Sequence, residues 1–377
     1  MHAEVSARTG LPREVYIIIG NGFDKEAGLK TSYPEFLDFI NAVNLHFQNI
    51  ISYNNKPKEL LEEYKRIRKE AGKTIDLSKW EKMPKNFWYQ HFKKVSYIQQ
   101  GWIDFENEIS NMIYLVEEEV KKANTIDELI VYDPQSHFYS EIYQPLKNLN
   151  KLDQYMKKGG VTFREFRDQL LVELNELIDA FDFYLQEFVE INEEKPTEAI
   201  MHLFGKLGGY QYCRVLSFNY TNTFKRMITK MHPELHVDYC HVHGKVGDNG
   251  GKGNLVLGID EKYQSEGEIS ILLAPFKKYY QRVYKRTDSN YADWLHDIEA
   301  NRNNQRELYI FGHSIGMTDK DILKAFITSD NMRTVVYSYN DKARADQIAN
   351  MTGIIGIDEM VKQNAGSDRM LEFELQG

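Results

Sequence analysis

The sequence predicts an α/β protein with a Rossmann-like, mainly parallel sheet flanked by helices and a large inserted all-helical domain. Short apolar runs separated by helical or loop segments predict the sheet, and a Gly-x-Gly turn directly follows the first run. A stretch of about 170 residues without a comparable run predicts the helical insertion. The predicted domains are a discontinuous α/β core over residues 14–34 and 205–377, and a helical insertion over residues 35–204.

The first predicted element is a strand over residues 15–19, followed by a Gly-Asn-Gly turn at residues 20–22 and a helix. A continuous apolar run is typical of a strand buried on both faces of a parallel sheet. Glycines allow a tight turn and leave room for a ligand, and the helix that follows would direct unpaired N–H groups towards it. The third glycine is Gly28, which departs from the dinucleotide fingerprint. The segment therefore predicts a nucleotide-type site or a structural strand–helix turn.

The clearest element of the helical segment begins after Thr162. Thr162 and Glu165 fit a capping box. Apolar residues then follow at spacings of three and four, which indicates one continuous packing stripe. The stripe comprises Phe163, Phe166, Leu170, Leu174, Leu177, Phe181, Leu185 and Phe188. Charge patterning and amphipathic spacing predict further helices over residues 58–70 and 102–120.

Strand-like runs return after residue 205. They cover residues 214–218, 236–242, 255–259, 307–311, 334–339 and 353–357, and each is short, apolar and bounded by helical or loop segments. A Gly-rich stretch over residues 246–254 lacks the GK[ST] ending of a phosphate-binding loop, so we interpret it as a flexible connector.

Polar side chains follow four of the predicted strands. They are Asn21 and Asp24; Asn219, Tyr220 and Asn222; His241 and His243; and His313, Ser314 and Asp319 after Gly312. Because the carboxyl ends of parallel strands line one crevice, these clusters predict a shared ligand site. Each cluster also has a structural alternative, since Asp24 can cap a helix, the asparagines can form turns and a histidine can simply be buried.

A metal site is a second interpretation of the same residues. His241 and His243 alternate onto one face of a strand, and His236, Asp238 and Asp260 lie near them in the sequence. An H-x-H pair with a carboxylate can hold zinc or manganese. This leaves open a metal-dependent nuclease or phosphohydrolase that uses His241, His243, Asp24 and Asp260. A Ser–His–Asp hydrolase is disfavoured, because the sequence contains no G-x-S-x-G motif.

The composition limits the function classes. The 47 basic and 56 acidic residues give a net charge of −9, which argues against general nucleic-acid binding. The two cysteines, Cys213 and Cys240, can form neither a disulfide framework nor a four-cysteine zinc site, and they favour a reducing compartment. The N-terminus lacks the apolar core of a signal peptide, and no apolar run is long enough to span a bilayer. We therefore expect a cytoplasmic protein with no membrane partner.

Five segments of the sequence resemble the AbiH family of bacteriophage abortive-infection proteins. They are IIGNGFDKEAGLKTSYPEFL, WIDFENEI, VLSFNYTNTF, HVHGKV with VLGID, and ELYIFGHSIGMTDKDIL. The segments occur in the family's order and span most of the chain. The resemblance implies a role in prokaryotic antiviral defence. It leaves open the phage-derived trigger, the oligomeric state and the need for a partner protein.

The order of the motifs is also similar to that of sirtuin-like NAD-binding domains, including those that degrade NAD in prokaryotic defence. By this resemblance Gly20 and Gly22 approach the nucleotide, Asn219 orients the ribose or an attacking water, and His243 is the general base. Gly312 and Ser314 border the nucleotide. The resemblance therefore implies a sirtuin-like core with NAD as substrate or ligand. Protein deacylation is excluded, because the four-cysteine zinc module of the deacylases cannot form here.

Together these observations predict a nucleotide-directed hydrolase that cleaves NAD at the nicotinamide–ribose bond, with no metal. The predicted catalytic residues are Asn219, His243 and Asp24. The predicted NAD-binding residues are Gly20, Asn21, Gly22, Phe23, Tyr220, Gly312, His313, Ser314 and Asp319. A non-enzymatic sensor that binds a nucleotide or phage product and recruits a partner is a further alternative. The helical insertion is then a hypothetical sensor, autoinhibitor or oligomer interface.

Overall fold

The computed structural model describes residues 14–48, 56–70, 72, 76–98, 104–131, 133–190, 194–247, 251–259, 267–365 and 369–376. The described residues contain one sheet of six parallel strands in the order β3-β2-β1-β4-β5-β6. The strands are β1 (Glu14–Ile19), β2 (Tyr212–Ser217), β3 (His236–His241), β4 (Arg306–Phe311), β5 (Met332–Ser338) and β6 (Leu371–Leu375). This is the strand order of the doubly wound Rossmann fold, so the predicted α/β, Rossmann-like fold is confirmed.

Helices form the rest of the regular structure. The helices before β2 are α1 (Asn21–Glu26), α2 (Tyr33–Gln48), α3 (Lys56–Glu70), α4 (Phe87–Ile98), α5 (Phe105–Val120), α6 (Gln144–Asn148), α7 (Asp153–Met156), α8 (Phe163–Tyr184) and α9 (Glu198–Lys206). The helices after β2 are α10 (Thr223–Met231), α11 (Gly267–Leu273), α12 (Lys278–Lys285), α13 (Tyr291–Ala300), α14 (Lys320–Ile327), α15 (Asp341–Ile355) and α16 (Ile357–Gln363). Across the described ranges, no helix combines the length and the apolarity that a bilayer crossing requires.

The chain divides into two compact units. Unit 1 comprises Met1–Lys30, Glu193–Lys245 and Thr287–Gly377, and it contains the whole sheet. Unit 2 comprises Thr31–Asn192 and Val246–Arg286, and its regular structure is helical. The predicted bounds of the helical insertion stay a prediction.

Strand β1 lies at the centre of the sheet in unit 1. Its side chains alternate between the two faces, as the pleat requires. Val15, Ile17 and Ile19 pack in the core of one face, whereas Tyr16 and Ile18 pack in the core of the other. All five are at most 1% exposed, which confirms the predicted strand buried on both faces.

Helix α8 in unit 2 follows the prediction closely. Thr162 accepts the backbone N–H of Glu165, and the Glu165 carboxylate accepts the N–H of Thr162, so the predicted capping box is confirmed. The apolar stripe is buried along its whole length and continues into a π-helical turn at Leu185–Val189. The pattern therefore fixed both the start of the helix and its packing face.

Two predicted strands are wrong. Residues 353–357 form the end of α15, Gly356 and the start of α16. Residues 255–259 form no strand and belong to unit 2, where an isolated bridge joins Ile259 to Lys277. The side chain of Gln281 takes the place of a neighbouring strand there, since it accepts the N–H of Leu257 at 3.1 Å and donates to its carbonyl at 3.0 Å.

The sixth strand, β6, was not predicted. Its LEFEL sequence alternates apolar and charged residues, which is the pattern of a half-buried edge strand rather than of the buried runs. The Gly-rich connector also has fixed contacts where the structure describes it. The carboxylate of Asp182 accepts the N–H groups of Gly247 at 3.0 Å and Gly253 at 2.7 Å.

Candidate functional site

The segments that follow β1, β2, β3 and β4 are called the first to fourth loops, and they meet at the carboxyl edge of the sheet in unit 1. The first loop includes α1, which carries Gly22, Phe23 and Asp24. The first two loops are joined by Asp24, whose Oδ2 accepts the hydroxyl of Thr221 at 2.6 Å. The second and third meet where the ring of Phe218 contacts the edge of His243, with centroids 5.3 Å apart. The first and fourth meet through the N–H of Gly22, which donates to the carbonyl of Gly312 at 2.8 Å. The strand order reverses between β1 and β4, beside these loops. In open α/β sheets, ligands bind at such a point.

The glycines of the first and fourth loops are explained by their packing on each other. A Cβ on Gly20 or Gly22 would lie 2.6–2.7 Å from backbone atoms of the fourth loop. Gly312 has φ +67°, and a Cβ there would lie 2.2 Å from the backbone nitrogen of Phe23. Any side chain at these positions would separate the loops.

The helix after the turn was predicted to direct unpaired N–H groups towards a ligand, and this prediction is wrong for Gly22 and Phe23 of α1. The N–H of Gly20 donates to the carbonyl of Phe311, that of Gly22 to Gly312, and that of Phe23 to Gly20. The side chain of Phe23 has no exposed surface and packs among the rings of Phe204, Phe224 and Phe311. It supports the loop from inside the core. Ligand contacts by Gly20, Asn21, Gly22, Phe23 and Tyr220 stay a prediction.

A carboxylate lies between two histidines in this region. Oδ1 of Asp319 is 3.0 Å from Nε2 of His243, and Oδ2 is 3.8 Å from Nε2 of His313. Both imidazole rings also contact Phe218 edge-on, with centroids 5.3 Å and 4.5 Å from its ring. All four side chains are less than 10% exposed.

The pair of His243 and Asp319 joins loops from strands that are not neighbours. β2 and β1 lie between β3 and β4 in the sheet, so the two strands are about 14 Å apart at the usual strand spacing. The loops after β3 and β4 therefore reach across the ends of the two central strands and meet above Phe218.

Hydrogen bonds determine the tautomers of these histidines. A carboxylate can only accept, so Nε2 of His243 carries the proton that Asp319 accepts. In the neutral ring, Nδ1 is then the basic nitrogen. Nδ1 of His313 accepts the N–H of Ile315 at 2.9 Å, so its Nε2 carries the proton and points towards Asp319. A carboxylate that orients one imidazole nitrogen and leaves the other basic is the arrangement that general-base histidines require.

Asn219 is buried with an unsatisfied side chain. Its backbone N–H donates to Ser217 and its carbonyl accepts Nδ1 of His241 at 3.2 Å, which holds the backbone in place. The side chain is 5% exposed, and neither Oδ1 nor Nδ2 has a hydrogen-bond partner among the residues that the structure describes. A buried polar group without a partner costs about 1–3 kcal/mol. An amide held at this cost can bind a ligand that offers both a donor and an acceptor.

His241 has a different role from His243. Its Nδ1–H donates to the carbonyl of Asn219, and its backbone N–H donates to Asp288 at 3.0 Å. Burial lowers the pKa of His241 to about 4, so the ring is neutral at physiological pH. These contacts make it a link between the ends of β2 and β3.

The described residues contain no cluster of side chains that supports the metal hypothesis. Within those ranges, no group of three or more His, Cys, Asp or Glu side chains is placed to hold an ion. His241 and His243 make the separate contacts given above, and Asp24 accepts from Thr221. Asp260 lies outside the described residues.

A cleft of about 810 Å³ opens beside this cluster at the carboxyl ends of β1, β4 and β5. Four of the predicted NAD-binding residues line it, namely Gly22, Gly312, His313 and Ser314. Asn219, His243 and Asp24 are buried and are not part of its lining. His313 is therefore the residue that the cleft and the buried cluster share.

Two side-chain amides of α15, which were not predicted, hold the fourth loop. In α15, Nε2 of Gln347 donates to the carbonyl of His313 at 2.9 Å, and Nδ2 of Asn350 donates to that of Ser314 at 3.1 Å. Oε1 of Gln347 also accepts the hydroxyl of Ser338 at 2.7 Å. No local pattern marks these amides, because their partners lie in an earlier loop.

The chain matches the model of one known protein family. A family model described as "Bacteriophage abortive infection AbiH" matches residues 15–341. The match includes the loops that carry Asp24, Asn219, His243 and Asp319. No curated protein matches the chain.

Proposed function

This chain belongs to the AbiH family of bacteriophage abortive infection proteins and acts in defence against phage; we propose that it does so by hydrolysing NAD at the nicotinamide–ribose bond. The observation that carries the proposal is the buried amide of Asn219. It follows Phe218, the ring that both His243 and His313 contact. A ribose has hydroxyl groups that both donate and accept, so it can satisfy both ends of this amide. The sirtuin-like resemblance supports the same ligand.

The proposed reaction needs a positioned ribose, a water molecule and one base. The C1′–N bond breaks, and the nicotinamide nitrogen takes the electron pair. The oxygen of the water bonds to C1′, and its proton passes to Nδ1 of His243 and then to solvent. The products are nicotinamide, ADP-ribose and a proton, so no oxidant or metal enters the balance.

Each residue of the cluster has a role in this scheme. Asn219 orients the ribose hydroxyls, which reduces the entropy lost in reaching the transition state. Asp319 orients His243 and stabilises the imidazolium that forms when the ring takes the proton. Asp24 acts through Thr221, two residues after Asn219, and so positions the second loop. The near-complete burial of His243 and Asn219 keeps bulk water from the reacting carbon.

The proposal is tested by following NAD in infected cells that express the wild type, Asn219→Ala, His243→Ala or Asp319→Asn. NAD should fall during infection with the wild type, whereas the three variants should lose protection and keep their NAD. His236→Ala is the matched control, because His236 is an exposed histidine at the start of β3 and should behave as wild type. Loss of a general base lowers rates by about 10²-fold or more, so the variants should show no detectable decline.

A second measurement uses the purified chain with NAD, and nicotinamide and ADP-ribose are quantified by chromatography. Constant NAD in cells that the wild type protects would refute the hydrolase proposal and leave the family assignment intact. Thermal unfolding of each variant must accompany both assays, so that loss of activity is not confused with loss of fold.

A further inference from the structure

We propose that the cleft beside His313 binds the nucleoside end of the nucleotide, with the base stacked on Tyr339 and the ribose diol on the carboxylate of Asp346. The inference rests on the proposed function, since it assigns the second half of the same dinucleotide. It adds residues that lie outside the four loops of the candidate site.

The position of the cleft fits a ligand that extends from the buried cluster. The cleft lies at the carboxyl ends of β1, β4 and β5, directly beside the point where the strand order reverses. His313 lines the cleft, and its ring lies against Phe218, which also contacts His243. A dinucleotide with its reacting ribose at Asn219 would therefore pass His313 and place its other nucleoside in the cleft.

The charge of the lining selects for a nucleoside rather than for a phosphate. Lys25 is the basic residue of the lining, whereas Glu26 and Asp346 are acidic. Two carboxylates against one ammonium disfavour an anion, but they accept hydrogen bonds from hydroxyl groups well. A volume of about 810 Å³ is ample for a nucleoside.

Tyr339 provides the surface for the base. It follows β5 at the rim of the cleft, and it is 72% exposed. An exposed aromatic ring beside a cavity is a stacking platform, and stacking does not depend on the identity of the base. Ala343 and Ala349 of α15 also line the cleft, and their small side chains leave room for an inserted ring.

The wall of the cleft is held in place before any ligand binds. The hydrogen bonds from Gln347 and Asn350 fix the carbonyls of His313 and Ser314 to α15, the helix that also carries Asp346. A wall that is fixed in advance loses little conformational entropy on binding.

The test is calorimetric titration of the full chain with adenosine. We expect binding in the millimolar range or tighter, weakened about tenfold (~1.4 kcal/mol) by Tyr339→Ala and by Asp346→Ala. The matched controls are Tyr284→Ala, which removes a tyrosine that is 75% exposed in unit 2, and Asp358→Ala at the start of α16. Both controls should bind as wild type.

A second probe isolates the diol. 2′,3′-Dideoxyadenosine should bind the wild type about tenfold more weakly than adenosine, and the two probes should bind Asp346→Ala equally. Adenosine that fails to bind at millimolar concentration would overturn the inference. So would equal affinities of Tyr339→Ala, Asp346→Ala and the wild type.

The two proposals fail in different ways. If adenosine binds as described but NAD is not hydrolysed, the cleft assignment stands and the hydrolase falls. If NAD is hydrolysed with an unchanged KM in Tyr339→Ala and Asp346→Ala, the hydrolase stands and the cleft assignment falls. His243→Ala should abolish hydrolysis without changing the adenosine affinity.

Discussion

Replacing Asn219 by leucine should stabilise the protein while it removes the candidate function. Leucine has nearly the shape of asparagine, and it needs no hydrogen-bond partner. Oδ1 and Nδ2 of Asn219 are buried without partners in the described residues, and removing an unsatisfied buried amide recovers about 1–3 kcal/mol. For a chain of 377 residues that unfolds as a whole, each kcal/mol corresponds to about 1–2 °C in the unfolding midpoint.

Asn86, the residue directly before α4, provides the matched control. It is 1% exposed, but its Nδ2 donates to the carbonyl of Glu173 at 2.7 Å and its Oδ1 accepts the N–H of Tyr89 at 3.1 Å. Asn86→Leu leaves the N–H of Tyr89 buried without its acceptor and removes the bond to the carbonyl of Glu173, so it should destabilise by about 1–3 kcal/mol. The same substitution at two buried asparagines should therefore change the free energy of unfolding in opposite directions.

The assay is urea unfolding of both variants and the wild type, followed by fluorescence and circular dichroism. Two probes are needed because the chain has two compact units, and its transitions need not coincide. If Asn219→Leu destabilised as strongly as Asn86→Leu, the amide of Asn219 would have a partner in the folded protein. The reasoning from its burial would then be refuted.

Three further predictions follow from the same structure. Gly312→Ala should destabilise the protein by about 3 kcal/mol or more in urea unfolding, because φ is +67° and the new Cβ would meet the nitrogen of Phe23. Gly316→Ala is the control, since the nearest atom to its new Cβ lies at 3.6 Å, and it should change stability by less than about 0.5 kcal/mol. Equal effects of the two substitutions would contradict the packing argument. Burial lowers the pKa of His241 from 6.5 to about 4, so the unfolded state binds more protons than the folded state between these two pH values. About 3 kcal/mol of stability should therefore be present above pH 6.5 and lost as the pH falls to 4. His241→Gln should make the stability depend less steeply on pH, and an unchanged slope would exclude His241 as the source of the dependence. Gln281→Leu should lower the unfolding midpoint, because it leaves the N–H and the carbonyl of Leu257 without partners at a cost of about 2–4 kcal/mol. An unaltered midpoint would show that these two hydrogen bonds do not contribute to stability.

The sequence predicted the elements whose information is local. The capping box at Thr162 and the stripe after it specify a helix by spacing alone, and the run at residues 15–19 specifies a strand because only the centre of a parallel sheet buries both faces. The run at residues 353–357 failed because a short apolar segment fits a buried helix end as well as a strand. The run at residues 255–259 failed because its hydrogen bonds come from one distant glutamine side chain, Gln281.

The candidate site was predicted as a set of strand ends, but not as a set of contacts. Strand ends are visible in the sequence, whereas the order of the strands is not. The pairing of His243 with Asp319 depends on that order and on the path of two loops across the central strands. The packing of the Gly-x-Gly turn was not visible in the sequence either. Its partner is the backbone of Gly312, which lies about 290 residues further along the chain.

The central position of β1 has a consequence for the order in which the protein forms during synthesis. Tyr16 pairs with Arg214, which is 198 residues later, and β4 on the other side follows later still. At translation rates of about 5–20 residues per second, β1 leaves the ribosome roughly 10–40 seconds before its first neighbour exists. During that interval its five core residues have no partner strand, so the nascent chain exposes an apolar segment of the kind that chaperones bind. Maturation of the sheet is therefore a late event, and the nascent chain should associate with chaperones until β4 has emerged.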